Sequence, residues 1–313
     1  MNSAYSVRSI AVTRRDGHRL VGPFDLTLHP GRVHGVVGES GSGKTLTLRS
    51  LAGVTPENLE SSWECLETPL PRTAMIFQDP ASFFNPRWRV DRSLREVLVY
   101  VRRMNVAAAA GRIAELAELV GLTMAEVHRY PFELSGGMVQ RAGIAMALAT
   151  EPELLLADEI TSALDPDLGE SILTLLREIA LAQGISVVLV SHDLPLVAGI
   201  VDDVHVLYEG RLVEYGPPGQ VLSAPRHQYT ALLVRSLPSQ QRRGRVLPEI
   251  PIAQESAAAP VGGCPFLPRC PAAVPACNRM PDWDPDLTYR CHNPVAPGIP
   301  VAPEDRAVPG GLE

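Results

Sequence analysis

Residues 31–50, GRVHGVVGESGSGKTLTLRS, constrain the fold more than any other stretch of this 313-residue chain. The apolar run VHGVVG has the length of a buried strand, and the residues from TLTLRS onward have the pattern of a helix. Between them, GESGSGKT fits the pattern G-x-x-x-x-G-K-[ST], in which glycines let backbone N–H groups surround a phosphate. The sequence therefore predicts a strand, a phosphate-binding loop and a helix that belong to an α/β domain.

The residues of this loop have separate tasks. Gly38, Gly41 and Gly43 supply the bend, and the N-terminus of the following helix adds a partial positive charge. The Lys44 side chain is expected to reach the β- and γ-phosphates, and the Thr45 hydroxyl is a ligand for Mg²⁺. The loop alone predicts a nucleotide site, because kinases, GTPases and motor ATPases all contain it.

Composition limits the remaining possibilities. The chain is 45% hydrophobic and 20% charged, which suits one large or two modest globular domains. Its net charge of −7 argues against a general nucleic-acid binder, which needs a basic surface. The apolar runs are shorter than the ~20 residues that span a bilayer, and the first residues lack the apolar core of a signal peptide. We expect a soluble, cytoplasmic chain whose membrane role, if any, comes from a partner.

Two adjacent acids follow a second strand pattern in ELLLADEITSALD, residues 153–165. Asp158 ends the apolar run and is a candidate ligand for a Mg²⁺-bound water beside the phosphate loop. Glu159 comes next, and adjacent residues of an extended chain point to different sides. Glu159 is therefore the candidate general base that faces the attacking water.

Two further strand ends carry polar side chains. His192 follows VVLVS and is expected to contact the γ-phosphate and orient Glu159, although a lone histidine at a strand end is commonly structural. Gln78 follows AMIF, and its amide oxygen can coordinate Mg²⁺ or the attacking water. The alternative at this point is a turn opened by Asp79 and Pro80. Both interpretations are compatible, because a switch residue must lie on a loop that moves.

The order of these motifs, with LSGGMVQR at residues 134–141, resembles the nucleotide-binding subunits of ABC transporters. In that family the LSGGMVQR segment is the signature motif, which binds ATP held by a second subunit. The resemblance assigns this role to Ser135, Gly136, Gly137 and Gln140, and it makes Asp165 of SALD an acid that crosses the dimer interface.

The resemblance implies a RecA-like P-loop NTPase fold with a parallel sheet core and helices on both faces. It predicts a nucleotide-binding domain over residues 1–240, with a helical subdomain at about 86–150. It assigns ATP binding to Gly38, Ser40, Gly41, Ser42, Gly43 and Lys44, Mg²⁺ to Thr45 and Gln78, the metal-bound water to Asp158, and catalysis to Glu159, His192 and Gln78. Arg14 stands where the family often has an aromatic residue stacked on adenine, and Tyr5 is a less well placed substitute.

The composition changes near residue 240, where a Pro-rich C-terminal extension, residues 241–313, is predicted. Nearly half of the 29 prolines and four of the five cysteines lie in it: Cys264, Cys270, Cys277 and Cys291. In a cytoplasmic chain four cysteines favour a metal over disulfides. Their spacings of five, six and thirteen residues differ from zinc-ribbon pairs, and Cys₄ ligation suits a [4Fe–4S] cluster. Zinc and free thiols remain alternatives.

Three stretches narrow the resemblance to the ATPases of oligopeptide/dipeptide and nickel importers, over residues 6–295. These are AMIFQDPASFFNP, YPFELSGGMVQRAGIAMALA and GPPGQVLSAPRHQYTALLVRSLP. This branch also carries a Cys-rich tail, which implies the iron–sulfur cluster and favours peptides as cargo. The implied function is an ATPase that powers peptide uptake, with nickel or metal-chelate import as the alternative. A soluble ABC ATPase of DNA repair or translation is a more distant alternative.

The same resemblance implies partners. They are a second ATPase in a heterodimer, with a homodimer as the alternative, two transmembrane permease subunits and an extracytoplasmic solute-binding protein, with no nucleic acid. The chain would then lie at the cytoplasmic face of the cell membrane.

Overall fold

The computed structural model describes residues 4–66, 70–237, 260, 262–281, 283 and 288–296. The strands are β1 (Tyr5–Arg14), β2 (Arg19–Leu28), β3 (Val33–Val37), β4 (Leu59–Cys65), β5 (Thr73–Ile76), β6 (Leu154–Asp158), β7 (Ser186–Ser191), β8 (Asp203–Tyr208) and β9 (Arg211–Gly216). The helices are α1 (Lys44–Leu51), α2 (Val90–Glu96), α3 (Val106–Leu119), α4 (Met124–Val127), α5 (Gly136–Leu148), α6 (Pro166–Gln183), α7 (Leu194–Ala198), α8 (Pro218–Ser223) and α9 (Gln228–Arg235).

The central sheet has the strand order β5-β6-β7-β3-β8-β9. The first five strands are parallel, as predicted, whereas β9 runs antiparallel to β8 at the edge. Strands β3, β6 and β7 are buried along their whole length, which explains their nearly continuous apolar sequences. The predicted strand before the phosphate loop is therefore a central strand, with neighbours on both sides.

Alternate side chains of the central strands enter two cores, because successive residues of a strand face opposite sides. On β6, Leu155 and Ala157 join the core formed with α5 and α6. Leu154 and Leu156 join the other core, which contains Leu48 of α1 and the antiparallel sheet β2-β1-β4. The helix after the phosphate loop is thus packed between two sheets, and this packing fixes the direction of its N-terminus.

A group of helices, α2 to α5, lies between β5 and β6 in the sequence. A π-helical turn, Val97–Val101, continues α2, and the Ser135 hydroxyl accepts the Met138 N–H at the start of α5. Leu94, Ile113 and Ile144 are buried and join these helices to the main core. The signature sequence therefore lies at the exposed N-terminus of a helix whose body is buried.

The described part of the C-terminal region packs on the sheet through short 3₁₀ turns, Leu267–Arg269 and Pro275–Asn278. Phe266 is fully buried, and Cys264 and Cys277 belong to the same core as the central sheet. The predicted boundary near residue 240 lies outside the described residues. None of the helices in the described ranges is long and apolar enough to cross a membrane.

We predict that His205 makes stability depend on pH. Burial of this β8 side chain lowers the pKa of His205 to about 4, against the attraction of Asp203, whose Oδ1 lies 3.3 Å away, and with a further lowering from His34. Between pH 6.5 and 4 the unfolded chain binds a proton that the folded chain does not. The free energy of unfolding should therefore fall as the pH drops through this window, by up to about 1.4 kcal/mol per pH unit from this group.

The measurement is denaturant unfolding of the wild type and of His205→Asn from pH 7.5 to 5. In the variant, the free energy of unfolding should fall less steeply with decreasing pH, by the contribution of about one bound proton. His18→Asn, at an exposed position in the β1–β2 turn, is the control and should keep the wild-type slope. Equal slopes in all three proteins would contradict the prediction.

Candidate nucleotide site

The phosphate loop, residues 38–45, joins β3 to α1 and is closed by Lys44. The Lys44 Nζ donates hydrogen bonds to the carbonyl oxygens of Gly38 and Glu39, both at 2.9 Å. Burial lowers the pKa of Lys44, and nearby carboxylates, led by that of Glu159, oppose this shift. The ammonium group is thus held inside the loop, where it can exchange carbonyl oxygens for phosphate oxygens.

Gly38 lies closely against the end of β8. A Cβ atom at this position would be 2.2 Å from the Leu207 carbonyl oxygen and 2.8 Å from the Ser42 Oγ, and φ is +153°. Ser42 is buried, whereas Ser40 and Gly41 are exposed on the outer side of the loop. Ser40 and Gly41 are therefore open to solvent, while Gly38 packs against the sheet at the start of the loop.

Thr45 and Asp158 are brought together from sequence positions more than a hundred residues apart. The Thr45 Oγ1 donates to Asp158 Oδ1 at 2.9 Å. Burial raises the pKa of Asp158, and the Thr45 hydrogen bond opposes the shift. A hydroxyl and a carboxylate oxygen side by side form the hard oxygen ligand set that Mg²⁺ prefers.

Glu159 turns away from Asp158 because its backbone leaves the strand conformation. Its φ is +47°, in the left-handed region, and its N–H donates to the Val190 carbonyl at 3.0 Å. The Glu159 Oε2 lies 3.5 Å from the His192 Nδ1. These two side chains line an open cavity of about 120 Å³ together with Ser162 and Asp165. The predicted base and the predicted γ-phosphate residue are therefore neighbours in the structure.

Gln78 lies on the exposed loop that follows β5. Its Nε2 donates to the Ser162 Oγ at 3.2 Å, and Asp79 accepts the Ala81 N–H at the start of a 3₁₀ turn. The turn opened by Asp79 and Pro80 is present, and coordination of Mg²⁺ or the attacking water by Gln78 stays a prediction. Ser162 was not predicted as a site residue, and its signal in the sequence was its place directly before Ala163, Leu164 and Asp165.

The signature residues have different environments. Ser135 and Gly136 are exposed, Gly137 packs against Leu168 of α6, and Gln140 is buried. No hydrogen bond connects this segment with the phosphate loop within the described ranges. Asp165 caps α6 by accepting the Leu168 N–H at 3.0 Å. Ser135, Gly136 and Asp165 are therefore exposed, and in the described part of the chain they make no hydrogen bond with the phosphate loop.

The residues predicted to contact adenine lie on β1 and do not form an aromatic surface for the base. Arg14 is exposed at the end of β1, and its guanidinium lies 3.5 Å from an Asp16 carboxylate oxygen. Tyr5 is buried at the other end of β1, so its ring faces are not open to a base. Arg14 remains the residue predicted to contact adenine.

The four C-terminal cysteines line one cavity, together with His227 and Phe266. All four are free thiols. Burial raises the pKa of Cys264 to about 11 and also raises those of Cys270 and Cys291. Across the described residues, no three His, Cys, Asp or Glu side chains are grouped closely enough to hold one metal ion.

A contact that the sequence did not predict joins this region to the phosphate loop. The Arg269 guanidinium binds the Glu39 carboxylate, with Nη1–Oε2 at 2.8 Å and Nη2–Oε1 at 3.1 Å. The sequence shows only that Glu39 is an acidic residue among the glycines of the loop. This does not indicate that its partner is an arginine 230 residues away.

Comparison with known proteins identifies the family. Residues 21–162 match the ABC transporter family, and residues 213–277 match the oligopeptide/dipeptide transporter C-terminal region. The chain is 37% identical over 295 residues to the oligopeptide transport ATP-binding protein OppD of Salmonella typhimurium, with 88% of each chain covered. It is 36% identical over 276 residues to the dipeptide transport ATP-binding protein DppD of Bacillus subtilis, with 82% of each covered.

A solved structure shows the same fold. The chain cbiO1 from Clostridium perfringens, described as part of the ABC transporter complex cbiONQ, matches with a TM-score of 0.63 at 24% identity. The match covers 69% of this chain and 89% of that chain.

The fold and the site define an ATPase of the P-loop class. The chain belongs to the ATP-binding subunits of the ABC transporter family, in the branch that carries the oligopeptide/dipeptide transporter C-terminal region. The family and the fold class predicted from the sequence are thereby confirmed.

Proposed function

We propose that this chain is the ATP-hydrolysing subunit of an importer for oligopeptides or dipeptides. The observation that carries the proposal is the combination, in one chain, of a complete set of ATPase residues and the matched C-terminal region of residues 213–277. The relatives named for oligopeptide and dipeptide transport span most of the same length. In this function the subunit lies at the cytoplasmic face of a membrane and drives partner permeases.

The proposed chemistry assigns one role to each group of residues. Residues 38–45 surround the phosphates, and the Lys44 ammonium balances their charge. Mg²⁺, when bound, would neutralise charge on the phosphates, and Thr45, Asp158 and Gln78 are the residues that would hold it or its water. Glu159 accepts the proton of the attacking water, and His192 orients Glu159 through the 3.5 Å contact.

We propose that the signature residues complete the site of a second ATPase. Ser135 and the two glycines after it lie at the N-terminus of the 13-residue helix α5, where backbone N–H groups and the helix dipole attract an anion. Gln140 and Asp165 are predicted to support the same interface. We propose a heterodimer, in which a second ATPase supplies the complementary phosphate loop, and a homodimer of this chain is the alternative.

The predicted division of the chain belongs to the same proposal. Residues 1–240 form the nucleotide-binding unit, with the signature on the helical part at about 86–150, and residues 241–313 form the C-terminal extension. Arg14 is proposed as the residue that stacks on adenine through its planar guanidinium.

We propose that the four cysteines hold a [4Fe–4S] cluster. Four thiols with no oxygen ligand among them suit iron–sulfur or zinc chemistry. What supports the proposal is that Cys264, Cys270, Cys277 and Cys291 line one cavity, although they are separated by 5, 6 and 13 residues in the sequence rather than paired as in a zinc ribbon. Their raised pKa values also make thiolates unfavourable there unless a cationic centre compensates them.

The cysteine proposal predicts a defined metal content. Full-length protein purified without oxygen should contain about four irons and about four acid-labile sulfides per chain. Cys277→Ser should lose most of both, whereas Cys65→Ser, at the distant strand β4, should keep them. One zinc with no sulfide, or four alkylatable thiols with no metal, would contradict the cluster.

The transport function is tested by recovering the partners. We would purify the Glu159→Gln variant with ATP from detergent-solubilised native membranes and identify the co-purifying chains by mass spectrometry. Two multi-span permeases, a second ATPase and a solute-binding protein that binds peptides rather than nickel chelates are expected. A binding protein selective for nickel or a chelate would overturn the peptide assignment, and recovery of only ribosomal or nucleic-acid partners would overturn the transporter assignment.

A further inference from the structure

The C-terminal region makes a two-point ion pair with the phosphate loop. Both Nη atoms of Arg269 bind the Glu39 carboxylate, at 2.8 and 3.1 Å, and Nη1 also donates to the Tyr208 hydroxyl at 3.1 Å. The side chains are 16% and 32% exposed, so the pair is only partly shielded from water. Paired N–H···O bonds of this kind fix both distance and direction. Arg269 is therefore in a position to control where the loop residue lies.

Glu39 is the residue on which several loop contacts converge. Its N–H donates to the Tyr229 hydroxyl at 2.8 Å, its carbonyl oxygen accepts from Lys44 Nζ at 2.9 Å, and its carboxylate binds Arg269. A displacement of Glu39 would consequently move the carbonyl oxygen that positions the Lys44 ammonium. The ion pair thus reaches the phosphate-binding lysine through one residue.

The turn that carries Arg269 is anchored by a buried aromatic residue. Phe266, three residues earlier, is fully buried and packs edge-on against Tyr208, with ring centroids 5.1 Å apart. The Phe266 ring also lies 5.5 Å from that of Tyr229. The aromatic cluster that anchors the C-terminal turn is therefore the one that supports the loop at Glu39.

The charge of Glu39 gives this contact a consequence for nucleotide binding. A carboxylate inside a phosphate loop repels the triphosphate, and its field already reaches Lys44. The Arg269 guanidinium compensates that charge at hydrogen-bond distance. Without it, Glu39 would be free to turn toward the phosphates or toward Lys44 and compete with them.

We propose that Arg269 is a positioning residue of the ATP site, which holds and neutralises Glu39 so that the phosphate loop accepts the triphosphate. The C-terminal segment thereby contributes directly to ATP affinity. This inference rests on the ATP-binding role of the chain and does not depend on the transported substrate or on the cysteine centre.

The test is the ATP affinity of the full-length chain, measured by titration calorimetry with Mg-ATP and compared with the steady-state KM and kcat. Arg269→Gln should raise Kd and KM on the order of ten-fold, equivalent to about 1.4 kcal/mol, with kcat at saturating ATP little changed. Arg269→Lys keeps the positive charge but cannot form the paired hydrogen bonds. Its Kd and KM should lie between those of the wild type and those of Arg269→Gln. The defect should shrink at high salt, because ions screen the unbalanced carboxylate.

A second variant separates this role from simple anchoring of the C-terminal segment. In Glu39→Gln/Arg269→Gln the repelling charge is removed, so ATP affinity should return most of the way to that of the wild type. Arg279→Gln, an exposed arginine on the same segment, is the matched control and should leave Kd unchanged. The melting temperature of every variant is recorded alongside.

Three results would overturn the proposal. They are an Arg269→Gln protein with Kd within two-fold of the wild type, a double variant as weak as Arg269→Gln, and an Arg279→Gln protein as weak as Arg269→Gln. If Arg269→Gln keeps its ATP affinity, the ion pair serves only to anchor the C-terminal segment. A lowered melting temperature of that variant would show this anchoring role. If the wild type itself failed to bind ATP, the proposed ATPase function would fall instead.

Discussion

Replacing Glu159 by glutamine is expected to stop ATP hydrolysis and leave ATP binding intact. Glutamine keeps the size of the side chain and its place 3.5 Å from the His192 Nδ1, but it cannot accept the proton of the attacking water. Loss of a general base typically reduces kcat by about 10²–10⁴-fold. ATP affinity should stay the same or rise, because one negative charge near the γ-phosphate is removed.

The measurement combines phosphate release with ATP binding and with the size of the ATP-bound assembly. In the proposed pairing with a second ATPase subunit, the variant should accumulate with that subunit as a nucleotide-bound dimer, because the ATP between them is not consumed. Glu170→Gln, at an exposed position on α6, is the control and should behave as the wild type. Hydrolysis above a few per cent of the wild-type rate would exclude Glu159 as the base.

The second large effect is expected for Gly38→Ala. The added methyl group would lie 2.2 Å from the Leu207 carbonyl oxygen, a backbone atom that cannot move away without disturbing the parallel pairing of Val37 with Val206. The phosphate loop must therefore shift, and with it the Gly38 carbonyl that binds Lys44. We expect ATP affinity to fall at least about 100-fold, or about 2.7 kcal/mol, and the free energy of unfolding to fall by about 2–3 kcal/mol.

Gly53→Ala is the matched control. Gly53 also has a left-handed backbone, with φ at +69°, but its Cβ position is open space. This substitution should cost about 1 kcal/mol of strain and leave ATP affinity unchanged. ATP affinity within a few-fold of the wild type in Gly38→Ala would show that the loop tolerates the contact.

Local patterns predicted the core of the site well. The strand, loop and helix at residues 33–51 could be predicted because apolar length and glycine spacing are local properties of the sequence. Asp158 was predicted to lie beside the phosphate loop because an acid that ends a buried strand next to such a loop is a typical ligand of Mg²⁺-bound water, and it contacts Thr45 of that loop. The antiparallel direction of β9 was missed, since its buried residues give the same apolar pattern in either direction.

Contacts between distant segments could not be predicted in the same way. Glu39 and Arg269 are 230 residues apart, and neither residue carries a pattern that specifies the other. The left-handed turn at Glu159 was also missed, because glutamate rarely adopts that conformation. The cysteines were predicted to lie together, but their spacing along the chain did not reveal that Phe266 between them is part of the main core.

The position of β3 in the sheet has a consequence for biosynthesis. This apolar strand, residues 33–37, pairs with β7 and β8, and its first residue lies opposite Val187. The ribosome synthesises that partner about 150 residues later, a delay on the order of ten seconds or more at about 5–20 residues per second. During translation this apolar segment therefore lacks its sheet neighbours, and we expect the nascent chain to bind chaperones that shield exposed apolar strands.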